Sequence, residues 1–596
     1  MKRYKLYKIL LLAIIITSAG CKKGFLNLQP KDQLVTATTF TTYDGFKAYA
    51  WNFYSVFPGY NFSLQNSEFN SDLFLNAVAN GRSNWIWQLI TIPSTDANYT
   101  NGYNNIRSVN IMLDNIDQSS LSDAEKKHWR SVGYFFRAYN YAELINKFGD
   151  VPYVDRTLSD TDSALYMART PRDVVAQHIL DDLIYAQQNI KPAGDGPNSI
   201  NTSVVQALIS RFGLREGTWR KYHGLGNADQ YLQASVAASE KLLTTFPTLN
   251  ASYDDDYNSL SLAGKPGIIL YKQYETNQIT HSLSSYGRNA SGRWDLTKKA
   301  VDLYLLSDGQ TRFTSPLFTN DKTPNEEFKN RDLRLYYTVP PPYVVNTTPP
   351  STVFTYTNKP EDTMYFALMN RISNPQVKTL PTLNWNGFVV RQEPHYVDFP
   401  NGQPYSVTYT GYRFYKMVNH YILNQQNADI NDCPIFRMGE ILVNYAEAKY
   451  ELGSFTQAVA DATINKLRAR GQVAALNIGS IPNDPTRDPD VPAVLWEIRR
   501  ERAVELMGDG FRFDDLRRWK KMNYVTEIKL GRWITKGGVN MPPANSIIPI
   551  QGGGTAGYIS YEGTPPSPFP DYYYLYPLPS NEIALNNKLT QNPGWK

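Results

Sequence analysis

The stretch Val494–Trp519, VLWEIRRERAVELMGDGFRFDDLRRW, constrains the fold more than any other part of this chain. Leu495, Trp496 and Ile498, continued by Ala503, Leu506 and Met507, recur at helical spacing, and Val494 and Val504 widen the apolar stripe beyond one face. A helix apolar over so much of its circumference belongs inside a large core. Glu501, Arg502 and Glu505 nevertheless interrupt the stripe on turns that must be buried. Buried charges persist only when they are paired and hydrogen-bonded. Gly508 and Gly510 are predicted to stop the helix, because glycine accepts a left-handed cap. In the short helix that follows, Asp514 and Asp515 precede Arg517 and Arg518 at the spacing where helical ion pairs meet. The expectation is a charged lattice locking two helices together, built from Glu501, Arg502, Glu505, Arg512, Asp515 and Arg518. The alternative is that Glu501 and Glu505, one turn apart, form a carboxylate pair for a metal or for acid–base work. The flanking arginines oppose it, since they suppress proton uptake and repel a cation.

The same residues carry a resemblance. ERAVELMGDGFRFDDLRRW is similar to the C-terminal signature of the SusD/RagB family of Bacteroidetes nutrient-binding outer-membrane lipoproteins. Its Glu-Arg pair, Glu, glycine turn, Arg, Asp-Leu and Arg-Trp fall on Glu501, Arg502, Glu505, Gly510, Arg512, Asp515, Leu516, Arg518 and Trp519. HWRSVGYFFRAYNYAELINKFGDVPYV resembles a second family segment, with its RA-x-x-Y core and F-G-D-x-P exit. The ending YLYPLPSNEIALNNKLTQNPGW matches in its Pro-Leu-Pro, Asn586, Gln591, Asn592, Pro593 and Gly594. The resemblance spans essentially the whole mature chain and is least specific over 330–410. It implies a mainly α fold, a tetratricopeptide-like helical repeat scaffold over about 29–250 and 433–596. A loop-rich, irregular region, about 250–432, is inserted between the two parts and is expected to carry ligand.

Residues 1–20 read as an export signal: a basic start, an apolar run from Ile9 to Ile16 too short to span a bilayer, and Ser18-Ala19-Gly20 before Cys21. A cysteine directly after Ala-Gly resembles a bacterial lipobox, so Cys21 is expected to be acylated and to become the mature N-terminus. Ser18 stands where a lipobox usually has leucine. Acyl chains hold a protein to a membrane by burying methylenes.

Further on, helices are expected over 43–56, 99–116, 123–148, 171–190 (with Pro171 near its first turn), 203–218 and 228–245. In ILVNYAEAKYELGSFTQAVADAT, Ala446, Gly453 and Ala458 stand where small residues let paired helices approach. Trp85 and Trp87 alternate with polar neighbours, which fits either a half-buried strand or a loop offering both indoles to solvent or ligand. VPPPYVVNTTPPSTVFTYTNKP reads as irregular.

Composition excludes several classes. The formal net charge of +5 falls close to neutral once Lys2, Arg3, Lys5 and Lys8 leave with the signal, so no nucleic-acid partner is expected. Two cysteines, one of them Cys21, permit no disulfide framework. The six histidines show no metal-ligand spacing, and there is no Walker loop, H-E-x-x-H, paired C-x-x-C or G-x-S-x-G elbow. No cofactor, metal or catalytic residue is expected. A glycosidase leaves no short motif, because its two carboxylates are distant in sequence.

The resemblance therefore implies a lipid-anchored outer-membrane protein, at the cell surface, that binds oligosaccharide without turnover. It would deliver the glycan to a SusC-like, TonB-dependent outer-membrane transporter. The alternatives are a lipid-anchored glycoside hydrolase and a helical-repeat adaptor between proteins. The family's binding residues vary with ligand and are not transferable by motif. Trp85, Trp87, Tyr271, Tyr274, Tyr286, Arg288 and Trp294 are chosen instead, because they lie in polar, irregular stretches before scaffold helices. Trp294 is expected at a helix entrance, where it either staples the helix or faces ligand. The 42 tyrosines suit a wet recognition surface, although many serve as ordinary core and loop anchors.

Overall fold

A computed structural model of the chain describes residues 39–596 except 62–63, 77–82, 289–293, 344, 347–354, 357–358, 373–377, 379–394, 397–406, 540 and 563–565. The expected signal and the expected lipobox at Cys21 lie outside the described residues, as do Ser291, Gly292 and Arg293.

The protein is mainly α. Its first part is a run of helices: α1 (Tyr43–Ala50), α2 (Ala97–Asn115), α3 (Asp123–Phe148), α4 (Arg172–Asn189), α5 (Thr202–His223) and α6 (Ala228–Thr245). Local chemistry sets their ends. Ser122 and Glu125 form a reciprocal capping box on α3, and Gly149 closes it. Asn201 caps α5, and Gly224 ends it in the left-handed conformation. Pro171 is the N-cap residue of α4, one position before its first turn. The expected helix over 43–56 tightens after Ala50 into a 3₁₀ segment, Trp51–Val56.

Each helix packs on the next, α2 on α3, α3 on α4, α4 on α5 and α5 on α6, which is a tetratricopeptide-like stack. Gly213 sets the closest approach. A Cβ there would lie 2.5 Å from the Tyr231 carbonyl oxygen and 2.9 Å from the Ser235 nitrogen, so α5 and α6 approach backbone to backbone.

The stack is then interrupted. Strand β1 (Phe74–Asn76) precedes α2; β2 (Ile268–Lys272), β3 (Trp294–Leu296) and β4 (Cys433–Arg437) follow α6. β2 pairs antiparallel with β4, Ile268 opposite Arg437 and Lys272 opposite Cys433. The intervening chain therefore departs and returns at one place. α7 (Met438–Glu451) starts directly from β4 and packs on α6 and α5, resuming the stack as if it had not been broken. α8 (Gln457–Ala462), α9 (Ile464–Arg470), α10 (Ala493–Glu505) and α11 (Arg512–Arg518) follow, then the hairpin of β5 (Trp533–Thr535) and β6 (Ala556–Tyr558).

Two of the small residues behave differently from expectation. Gly453 has φ +69° and nothing within 4 Å of a built Cβ, so it is a left-handed stop after α7 and not a close-approach site. Ala458 is exposed, and Ala460 is the buried alanine of α8.

α10 is buried nearly all round because it borders four separate cores. Ala503, Val504 and Met507 enter the core of the inserted region, and Leu506 enters that of the helical stack. Leu495 and Trp496 meet the tryptophan-rich core of the C-terminal tail, and Ile498 meets a fourth beside Ala446.

The charges between these faces are all engaged. Glu501 accepts from Arg334 at 2.6 Å and from Arg468 at 3.3 Å. Glu505 accepts from Arg470 at 2.5 Å, from Arg334 at 3.1 Å and from Arg437. Arg502 bonds Asp515 and Asn444, both at 2.7 Å. Arg518 bonds Glu447 at 2.6 and 2.7 Å and Asp515 at 2.9 Å. Arg512 grips Asp72 through two bonds of 2.8 and 2.9 Å. Burial pushes the Glu505 carboxyl up, but Arg470, Arg437 and Arg334 outweigh it and hold the group well below the usual carboxylate range.

Candidate ligand cleft

Ser83 donates to Asn70 Oδ1 at 2.6 Å and fixes the start of a turn over 84–88. The Leu89 N–H closes it onto the Asn84 carbonyl at 2.8 Å, with Gln88 at φ +55°. The Trp85/Trp87 alternation is therefore neither a strand nor an open loop. The turn sends Trp85 inward, where it stacks on Tyr576 with ring centroids 4.3 Å apart and planes at 30°. Phe513, Tyr573 and Trp595 surround it, and Trp87 is half-buried against the same cluster.

Beside this turn opens a cleft of about 550 Å³. Trp85, Tyr576, Leu89, Ile90 and Pro93 supply its apolar surface; Asn70, Asn76, Ser83, Asn84, Thr91 and Asp96 supply the polar groups. Its described lining comes from residues 69–96 and 576–577, and none from 250–432. Of the seven chosen binding residues, Trp85 alone lines it.

The other six are dispersed. Tyr271 lies half-buried on β2. Tyr274 is buried against His281, its hydroxyl donating to the Tyr60 carbonyl at 3.3 Å. Tyr286, half-buried on the short helix Leu283–Gly287, accepts from Gln426 at 3.0 Å. Arg288 is 1% exposed and donates to the Asn419 and Ile422 carbonyls. Trp294 is 3% exposed and sits in β3, paired with Asn76 of β1. No helix begins at it: the helix Lys298–Leu303 starts later, capped by Thr297. Tyr274, Arg288 and Trp294 thus present almost no surface to a ligand; Trp85, 4% exposed, is as deeply buried and reaches the cleft only as part of its wall. Polar sequence around them reflects a region whose core is built from tyrosine and hydrogen-bonded loops. The cleft residues Asn76, Asn84 and Tyr576 carried no signal beyond their places in a polar loop and a proline-rich tail.

A second cavity, about 430 Å³, lies across the segment 69–76. Its lining includes Lys298, Lys299, Arg312, Arg512 and Lys529 together with Asp72, Asp302 and Glu527. Burial raises the Asp72 carboxyl, yet Arg512 and Lys299 pull it well below the carboxylate range. Burial pushes the Lys529 ammonium down to about 8; it donates to the Phe74 carbonyl at 2.7 Å. Glu68, buried next to Phe69 in sequence, accepts the Gly510 N–H at 2.7 Å through its carboxyl Oε1. Burial pushes this carboxyl up to about 8. Among the described residues no group of three or more His, Cys, Asp and Glu is arranged to hold a metal ion. No described helix is long and apolar enough to cross a membrane.

The profile of the SusD family matches residues 266–595, just over half of the chain. This chain belongs to the SusD family. A second profile, described as "Starch-binding associating with outer membrane", matches residues 25–214. Within the SusD family, SusD-like protein P2 of Formosa agariphila is 30% identical over 88 residues, 15% of this chain and 17% of that relative. The match therefore spans less than a fifth of the relative's length. A solved SusD-like protein of Bacteroides fragilis superposes with a TM-score of 0.68 at 19% identity, covering 95% of this chain and all of that one. A SusD-like carbohydrate binding protein from the same species superposes at 0.67 and 19% identity, over 93% of this chain and 100% of its own. At such identities the likeness establishes the fold.

Proposed function

We propose that this SusD-family protein captures oligosaccharide at the outer membrane, tethered through an acylated Cys21, and delivers it to a SusC-like TonB-dependent transporter. Binding occurs without turnover. The observation that carries the reading is the cleft beside Trp85 in a chain of this family: a concave surface that pairs apolar side chains with amides and hydroxyls. Sugars offer the complementary surface, apolar C–H faces edged by hydroxyl groups. Trp85 and Tyr576 form the cleft's rigid wall, and Asn76 and Asn84 reach the ligand's hydroxyls. Trp87, Tyr271 and Tyr286, each half-buried, are the remaining candidates among the residues chosen from sequence.

A glycan array probed with the purified protein tests the capture step. Co-purification of the tagged protein with a TonB-dependent transporter from its own membranes tests the delivery step. Oligosaccharide binding with no product released over hours is the expected result. Steady release of shortened sugars would favour a hydrolase; binding to proteins but to no glycan would favour an adaptor.

A further inference from the structure

We infer that the cleft beside Trp85 takes an uncharged oligosaccharide and excludes uronate and sulfated ones. This rests on the glycan-binding reading above.

The polar lining decides it. Among the described residues the cleft's hydrogen-bonding side chains are Asn70, Asn76, Ser83, Asn84 and Thr91, with one carboxylate, Asp96, and no lysine, arginine or histidine. Asp96 is already committed as the N-cap of α2: its Oδ1 accepts the Asn98 backbone N–H at 2.7 Å and the Asn98 amide at 2.8 Å. The Asn76 and Asn84 side chains hydrogen-bond to no described residue, so both amides stand ready for a ligand. An amide presents an acceptor beside two donors, which suits neighbouring hydroxyls on a sugar ring and carries no charge that must be stripped of water. Leu89, 59% exposed at the rim, adds a surface for the ring's C–H face.

An anionic sugar meets the reverse situation. Its carboxylate or sulfate would lose water without gaining a cation from the described lining, and would face the like charge of Asp96. Among the described residues the scarcity of charge is local to this cleft. Across the segment 69–76 the second cavity is lined by five cationic and three carboxylate side chains, so the chain places charge freely a short distance away.

The test is calorimetric titration of the full chain in detergent with oligosaccharides of matched length. The neutral set is α-glucan, β-glucan, mannan and xylan; the acidic set is oligogalacturonate, oligoalginate and sulfated galactan. A neutral ligand should bind tightest, with affinity changing less than about twofold between low and high salt. Asn76→Ala combined with Asn84→Ala should weaken it at least about tenfold, the equivalent of losing two ligand hydrogen bonds, with an unchanged melting temperature. Unchanged affinity in that variant would remove the ligand from this cleft and overturn the inference. So would an acidic oligosaccharide that outbinds every neutral one, whether or not Arg82→Ala abolishes its binding; Arg82 adjoins Ser83 and lies outside the described residues. Binding of no glycan at all would overturn the glycan-binding reading itself, a result distinguishable from acidic preference.

Discussion

Arg334 donates to Glu501 at 2.6 Å, joining the inserted region to α10 across 167 residues of chain. The two side chains are 1% and 2% exposed, so solvent ions do not screen the pair. Glu501→Ala would leave Arg334 with Asp332 and one contact to Glu505, and Arg468 with Glu497 alone. A loss of about 3–5 kcal/mol is expected, the scale for removing one member of a buried pair. Urea denaturation measures it; an unchanged midpoint would show that α10 is not buried in solution.

Glu68 should make stability fall as the medium turns alkaline. Its carboxyl holds a proton up to about 8 in the folded chain, because burial disfavours the charged form. In the unfolded chain it releases that proton near the ordinary glutamate value, about 4.3. The folded state therefore binds more protons between those values, and the group's contribution, full in acid, is lost as pH rises to about 8. Glu68→Gln should flatten the melting-temperature profile over that interval. Parallel profiles for the two proteins would contradict the assignment.

Trp294→Ala should act on the fold and spare the ligand. The indole is 3% exposed in the core of the inserted region, and removing such a ring typically costs about 3–5 kcal/mol. Protein that remains folded should bind the best oligosaccharide normally. Thirtyfold weaker binding, about 2 kcal/mol, at an unchanged melting temperature would return Trp294 to the site.

Cys21→Ala tests the proposed anchor. The variant should fold yet lose fatty-acid labelling and membrane fractionation, since acyl chains supply the burial that holds a lipoprotein to its bilayer. Continued palmitate labelling would refute the lipobox.

Gly213→Ala tests the stack. The added carbon has no room beside a carbonyl 2.5 Å away on α6, and neither helix backbone can yield locally. A drop in melting temperature larger than that from Gly224→Ala, where a Cβ meets nothing within 4 Å but the left-handed φ is strained, is the expected ordering.

The helices were legible because their signals are local. The glycine stop at Gly508 and the spacing of α10's apolar residues can both be read from a few neighbours in sequence. The charge pattern of α10 and α11 was legible in part. Asp514–Arg517 and Asp515–Arg518 are one turn apart, whereas the partners of Glu501 and Glu505 come from Arg334, Arg437, Arg468 and Arg470. The cleft was largely illegible. Tyr576 meets Trp85 from almost the other end of the chain, and Trp294 sits in a polar stretch that β1 and the surrounding tyrosines bury. Polarity of neighbours marks a loop; it does not say which side chain the loop turns outward.

The return of α7 onto α5 and α6 has a consequence for biosynthesis. Every residue from the end of α6 to Met438 emerges before the face of α6 finds its partner. A nascent chain halted anywhere in that interval exposes an apolar helix face to whatever accompanies it, which makes it a substrate for holding factors. Under the proposed export through residues 1–20, the interval in which the stack cannot close would coincide with the interval in which the chain must stay open.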